Sequence, residues 1–409
     1  MSLNLSMLTR EVIERCDTIA ACTEEPGRIT RTFLRPPMHR VHELLTTWMQ
    51  EADLIVRRDA LGNLIGRRPG LTPAAKIFVI GSHVDSVPNA GRYDGVLGVL
   101  LGIAAMKSLA GQRFHVAIDV IAFSEEEGVR FSTPYLGSAA VCGSFDPDWL
   151  KKKDADGVTM DQALRAFGLD PAEIPKAAYG REQLEGYLEV HIEQGPVLAT
   201  LRSPIGIVDA IAGQSRHWLT FTGKAGHAGT QPMIGRSDAL VAAAHFVTQV
   251  EEYAHEVRDL RATVGSLTVH PNAVNVIPGM VRLSLDVRHA DDATRLKAVE
   301  RILDQAFDIV KDPQMSVNEE TILDQSAVPA DPALINRLEA IVQEKNLPVH
   351  HLASFAGHDA VMMAKICPMA MLFIKSPGGI SHHPDENVDR EDVQAALGVL
   401  VGILGSRAV

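Results

Sequence analysis

Four short runs constrain this chain more than any other feature: KIFVIG (76–81), HVAIDVIAF (115–123), YLEVH (187–191) and MAMLFI (369–374). Each is mostly apolar and short for a helix. Helical patterns at Val96–Ala110, Pro332–Glu344, Asp359–Ile366 and Glu391–Leu404 stand between or after them. A strand that is apolar on both sides must be covered on both sides, as in parallel sheets flanked by helices. The expected fold class is therefore α/β, with a mixed, mainly parallel sheet between helices.

Between residues 209 and 325 the pattern changes. HWLTFTG (217–223), TVGSLTV (263–269) and VRLSLDVR (281–288) alternate apolar and polar residues, as strands with one open face do. Helical stretches Ser237–Val257 and Asp292–Val310 lie among them. An α+β unit of one sheet covered by two helices is expected at 209–325, inserted into a catalytic domain formed by 1–208 and 326–409. At 409 residues and 46% hydrophobic, the chain can fill both cores.

Charge narrows the partners. With 39 Lys+Arg against 51 Asp+Glu the net charge is −12, which repels phosphate backbones, so no nucleic-acid partner is expected. The longest apolar run, Val96–Met106, falls well short of the ~20 residues of a membrane span. Arg10, Glu11 and Glu14 interrupt any signal pattern, and Cys16, Cys22, Cys142 and Cys367 form no CxxC pair. A reduced, cytoplasmic protein is expected, with no membrane partner.

Histidines and carboxylates recur directly after the apolar strands, where open α/β sheets gather their sites. GSHVD (81–85) is followed by RYDG (92–95); the others are SEEEG (124–128), HIEQG (191–195) and GGISHHPDE (378–386). Each piece alone is weak, since a lone histidine is usually a satisfied polar residue and an acidic run a solvated loop. Their conjunction points to metal. Histidine with carboxylate and no thiolate suits Zn or Mn in an open, catalytic site. One Asp can bridge two ions about 3.5–4 Å apart, and a water held there becomes a nucleophile near neutral pH. A neighbouring carboxylate must take its proton and pass it to the leaving nitrogen. Consecutive glutamates in extended backbone point in opposite directions, so Glu125–Glu127 could supply both a ligand and a base.

These motifs, together with GKAGHAGTQPM (223–233), NAVNVIPG (272–279) and AGHDA (356–360), resemble the amidase/carbamoylase branch of the dinuclear metallohydrolases, a peptidase M20-like group. That branch includes N-carbamoyl-L-amino acid hydrolases, allantoate amidohydrolases, ureidoglycolate amidohydrolases and one type of β-ureidopropionase. The resemblance spans about residues 28 to 404. It implies two divalent metal ions per subunit, a small ureido-acid substrate and a homodimer formed through the inserted lid domain. It implies that His83, Asp94 and His191 hold one metal and Asp94, Glu127 and His382 the other, with Glu126 as general base. His382 rather than His383 matches the GISH pattern, and Glu126 rather than Glu125 matches EEG. Asp85 resembles a carboxylate that orients a ligating imidazole, and His358 a supporting residue. His227 resembles the histidine that polarises the scissile carbonyl; Gln214, Asn275 and Arg288 resemble residues that bind the substrate's polar groups and carboxylate. A pairing of Arg288 with Asp286 is the competing reading, and His217, His289, His350 and His351 are expected to be structural or on the surface. Two features separate the chain from the peptidase relatives: the short interval from His83 to Asp94, and histidine at 191. The text around RTFLRPPMHRVHELLTTWM and GGISHHPDENV looks most like allantoate amidohydrolases, although Phe355 stands where the family often has Gly.

Overall fold

The computed structural model describes residues 4–311 and 313–409. By internal contacts the chain forms two units. One runs to Asp209 and takes in Ala330–Leu352 and Ala356–Val409; the other is Ala210–Pro329 with Ala353–Phe355. The small piece Ala353–Phe355 lies outside the expected 209–325 insert. It joins the second unit because Ala212 N–H donates to the Ser354 carbonyl at 2.7 Å.

The strands in chain order are β1 (Ile55–Arg58), β2 (Leu64–Arg68), β3 (Ile77–His83), β4 (Ala117–Phe123), β5 (Leu184–Ile192), β6 (Ile205–Ile211), β7 (Gly213–Thr222) and β8 (Gly226–His227). They continue as β9 (Arg261–Thr263), β10 (Leu267–His270), β11 (Val276–Ile277), β12 (Met280–His289), β13 (Ser316–Gln325), β14 (Val328–Pro329), β15 (His351–Ser354) and β16 (Met369–Ile374). The first sheet is ordered β1-β2-β4-β3-β5-β16-β6-β14, with β15 also on β6. Its centre, β4-β3-β5-β16, is parallel, whereas β2 joins β4 and β6 joins β16 antiparallel. Every residue of β3, β4 and β16 is buried. The wholly buried face of helix Val96–Met106 explains why that segment is apolar all round. Among the described residues no helix is long and apolar enough to cross a membrane.

The second unit carries a five-stranded antiparallel sheet, β10-β12-β7-β13 with β9 on β12. Leu219, Phe221, Val281, Leu283, Leu285 and Val287 alternate onto one face and pack with Phe246 and Ile302 of helices Ala239–Glu256 and Asp292–Ile309. The expected strand at 263–269 is broken: β9 ends at Thr263 and β10 begins at Leu267. Gly265 lies in the interruption, where Ser266 N–H donates to the Ser284 hydroxyl instead of continuing the ladder. Strand β13, SVNEETILDQ, is too polar for its alternation to be read from sequence. The helix expected at Asp359–Ile366 is only Ala360–Met363.

Candidate metal centre

The four ligand-bearing segments leave four adjacent parallel strands. His83 ends β3, Glu125–Glu127 follow β4, His191 is the penultimate residue of β5, and the His382 loop follows β16. Parallel neighbours end on the same side, so side chains distant in sequence converge there. The backbone is strained at this edge: Glu125 (φ 54°), Gln194 (φ 59°) and His382 (φ 54°) are all left-handed. Gly95 (φ 66°) must be glycine, because a Cβ would fall 2.5 Å from the His83 imidazole.

Asp94 is the hub. Its Oδ1 lies 3.1 Å from His191 Nε2 and 3.5 Å from His83 Nε2, and its Oδ2 lies 3.1 Å from His382 Nε2. His382 Nε2 is also 3.4 Å from Glu127 Oε1. One carboxylate thus turns its two oxygens toward two histidine sets. His83, Asp94 and His191 offer ligand atoms within 4.8 Å of one another, as do Asp94, Glu127 and His382, and His83, Glu126 and Glu127.

The side chains fit a cation. Asp94 Oδ1 and His191 Nε2 are buried without a hydrogen-bond partner, a costly state unless something binds there. His191 Nδ1 lies 2.9 Å from the Ile192 carbonyl and His83 Nδ1 3.2 Å from the Asp85 carbonyl. A carbonyl only accepts, so each Nδ1 carries a proton, and in the neutral ring each Nε2 would present its lone pair to a cation. Burial alone would raise the Asp94 carboxyl, but His191, His382 and His83 outweigh it and hold it well below the usual carboxylate range. Burial raises the Glu127 carboxyl to about 7 and pushes Glu126 well above the ordinary range.

Two further carboxylates fix the loops. Asp85 Oδ1 accepts Glu126 N–H at 3.0 Å and Oδ2 accepts Glu127 N–H at 3.1 Å. Its distance to His83 Nδ1 is 3.5 Å, so its main grip is on the glutamate loop rather than on the imidazole it was expected to orient. Glu386 Oε1 accepts Tyr93 N–H (2.8 Å) and Asp94 N–H (3.1 Å), while Oε2 accepts the Ser381 hydroxyl at 3.0 Å. Gln194 Nε2 donates to Asp94 Oδ2 at 3.1 Å. Glu386 and Gln194 sit inside the quoted motifs, yet nothing in their spacing marks them as positioning groups. Glu125 is left-handed rather than extended, so simple alternation does not hold along Glu125–Glu127. Its buried Oε1 accepts Arg130 N–H.

Behind His191, His358 packs edge-on with ring centroids 4.6 Å apart, and burial beside His191 holds it well below its usual pKa, hence neutral. Glu189 accepts from Ser82, Tyr187 and the Ala360 N–H, and Asp359 accepts from Ser138.

The remaining candidates belong to the second unit. His227 on β8 pairs in register with Val276 of β11, and Ala228 N–H donates to the Asn275 carbonyl at 2.9 Å, making His227 and Asn275 neighbours. His227 Nδ1 accepts the N–H groups of Gly229 (3.0 Å) and Thr230 (3.2 Å), which leaves Nε2–H as an exposed donor. Gln214 and Arg288 stand directly opposite each other on β7 and β12. Arg288 does pair with Asp286: Nε donates to Oδ1 at 2.7 Å and Nη2 to Oδ2 at 3.1 Å, while Nη1 donates to the Phe355 carbonyl at 2.6 Å. One N–H on each terminal nitrogen remains for a ligand. His217 is buried with Nδ1 2.6 Å from Glu319. His351 bridges Asp209 and Glu339.

Histidines with Nε2 turned toward a two-sided aspartate, beside a buried glutamate at the ends of parallel strands, are the equipment of a metal-dependent hydrolase. The chain belongs to peptidase family M20/M25/M40, whose family model matches residues 79–406. It is 38% identical to the N-carbamoyl-L-amino acid amidohydrolase of Geobacillus stearothermophilus over 91% of this chain and 92% of that one. It is 36% identical to a probable allantoate deiminase of Oryza sativa subsp. japonica, over 98% and 89%. Among solved structures it is similar to an amidase of the hydantoinase/carbamoylase family from Burkholderia multivorans, with TM-score 0.91, 34% identity and 98% of both chains covered.

Proposed function

We propose that the chain hydrolyses the ureido C–N bond of a small ureido carboxylic acid, converting allantoate to ureidoglycine, ammonia and carbon dioxide. The observation that carries this reading is Asp94, buried, with one oxygen toward His83 and His191 and the other toward His382. In this reading His83, His191 and Asp94 hold one divalent ion, Zn or Mn, and Asp94, Glu127 and His382 hold a second. Divalent ions held by these residues would supply Lewis-acid chemistry, lowering the pKa of a bound water and polarising the scissile carbonyl.

The chain's own groups do the rest. Glu126, its backbone fixed by Asp85, takes the proton from the attacking water and returns it to the leaving nitrogen. Burial raises its carboxyl above the ordinary range. His227, with its proton held on Nε2, donates to the carbonyl oxygen as charge develops. Arg288 takes the substrate carboxylate with its uncommitted N–H groups, next to Gln214, and Asn275 binds a polar group of the substrate. A homodimer through the second unit and a place in purine-nitrogen recovery go with this reading.

The amidohydrolase from Geobacillus stearothermophilus, at 38% identity, favours a second reading in which N-carbamoyl-L-amino acids are the substrates. Ammonia release by metal-reconstituted protein, with allantoate and several N-carbamoyl-L-amino acids side by side, separates them. Higher kcat/KM for allantoate is expected. Preference for a carbamoyl amino acid moves the protein to the second reading, and hydrolysis of dipeptides or N-acyl amino acids alone rejects both.

A further inference from the structure

Once Arg288 is assigned to the substrate carboxylate, a second arginine beside it lacks a counter-charge. Arg261 on β9 stands directly opposite Arg288 on β12, so both side chains project from one face of the sheet. Asp286 serves Arg288 and, through Oδ2 at 2.8 Å, Arg216, whose Nη2 also donates to Gln214. Arg261 has no carboxylate within ion-pair reach among the described residues. Among the described residues its side chain makes one hydrogen bond, a 3.3 Å contact from Nη1 to the Leu260 carbonyl. Two guanidinium groups therefore share one carboxylate while Arg261 goes without, and Arg261 and Arg288 face each other across a strand pair, where like charges repel.

Phe355 holds this arrangement. The Arg261 guanidinium lies over its ring at 4.6 Å, and the Phe355 carbonyl takes the Arg288 Nη1 proton at 2.6 Å. A single residue thus sets the positions of both forks, through its ring for one and its backbone for the other. Cation–π contact fixes Arg261 without using its N–H donors, which stay available to a ligand.

We propose that Arg261, braced on Phe355, is a substrate-binding residue. It would receive an acceptor oxygen on the substituent next to the substrate carboxylate: a second ureido carbonyl, as in allantoate, or a side-chain carboxylate, as in an acidic N-carbamoyl amino acid. This rests on the reading that the protein hydrolyses ureido acids and that Arg288 binds their carboxylate. An apolar N-carbamoyl amino acid offers Arg261 nothing, so Arg261 sets specificity between the substrate classes.

The test compares kcat and KM for allantoate, N-carbamoyl-L-aspartate and N-carbamoyl-L-methionine in the metal-loaded full chain and in Arg261→Met, Arg261→Lys and Phe355→Leu. Arg261→Met is expected to lower the preference for the acceptor-bearing substrate over N-carbamoyl-L-methionine about tenfold, mostly through KM, the scale of one hydrogen bond to a charged group. Whichever of allantoate and N-carbamoyl-L-aspartate loses more identifies the acceptor. Arg261→Lys, a point charge without a fork, should recover the aspartate derivative better than allantoate. Phe355→Leu should shift the same ratio in the same direction by less. An equal change for all three substrates, or none, overturns the proposal while the hydrolase reading stands. A wild-type protein silent on all three overturns the hydrolase reading itself.

Discussion

The two units prepare for chemistry in different ways. In the first, the loops that carry the reactive groups, and the His83 and His191 rings, are anchored by the protein itself. Asp85 and Glu386 each accept two backbone N–H groups, and the two histidines have their outer nitrogens tied to carbonyls. In the second, the candidate groups are held more lightly: His227 sits on a two-residue ladder with Asn275 just before the partner strand, and Arg288 is half-buried on the sheet face opposite the apolar core. The first arrangement suits a group that must meet an ion at fixed distances, where ~0.5 Å matters. The second suits groups that recognise a small molecule and release its products. Damage to the first unit should therefore appear in rate or in metal retention, and damage to the second in substrate affinity.

The strongest break of this contrast is Glu126→Gln. It should retain metal, measured by elemental analysis after gel filtration, yet lose turnover roughly a thousandfold, the scale of general acid–base catalysis. His382→Ala should lose activity and metal together, and a Glu126→Gln protein that stays active would remove Glu126 from the role of base. The wild-type pH profile should show the same group. A general base must be deprotonated, so kcat/KM should fall with acid as the Glu126 carboxyl takes up its proton, and Glu126→Gln should remove that limb from any residual activity.

Intermediate effects are expected from Glu386→Ala and Asp85→Ala, which hold the backbone of proposed ligands rather than a metal ion itself. Competition with a chelator should show metal affinity falling about 10–100-fold, the usual cost of losing an outer positioning group. Glu386→Gln keeps an acceptor oxygen and should recover most of the loss. Unchanged affinity in both alanine variants would mean that the loops hold themselves.

The smallest effect sharpens the other side. Arg288→Ala should raise KM for ureido acids by about tenfold with a smaller change in kcat, as loss of a charge-assisted contact does. Metal content should not move. If metal content falls instead, the division of labour between the units is wrong.

The ligand segments were legible because two simple signals coincide there: a run apolar enough to be a buried strand, then a histidine or acid at its end. The parallel core was legible for the same reason. Glu386 was not, because it acts through backbone N–H groups 292 and 293 positions away. A carboxylate that accepts such bonds looks in sequence like any other acid. Polar strand β13 was hidden by weak alternation, and the left-handed turn at Glu125 by the assumption of extended backbone in an acidic run. Arg288 shows a different limit: both of its readings, ion pair with Asp286 and free donor, are present in one fork.

The position of β16 also governs when the protein can mature. This strand lies between β5 and β6, although it is made after the whole second unit, and Glu386 and His382 follow it. A nascent chain that has emerged only through β14 has a gap in the centre of its first sheet, and both His382 and the carboxylate that secures Asp94 are still to come. Assembly of both ligand sets therefore belongs to the finished polypeptide. Truncations before residue 386 should yield proteins that cannot assemble the complete centre, rather than shorter versions that work less well.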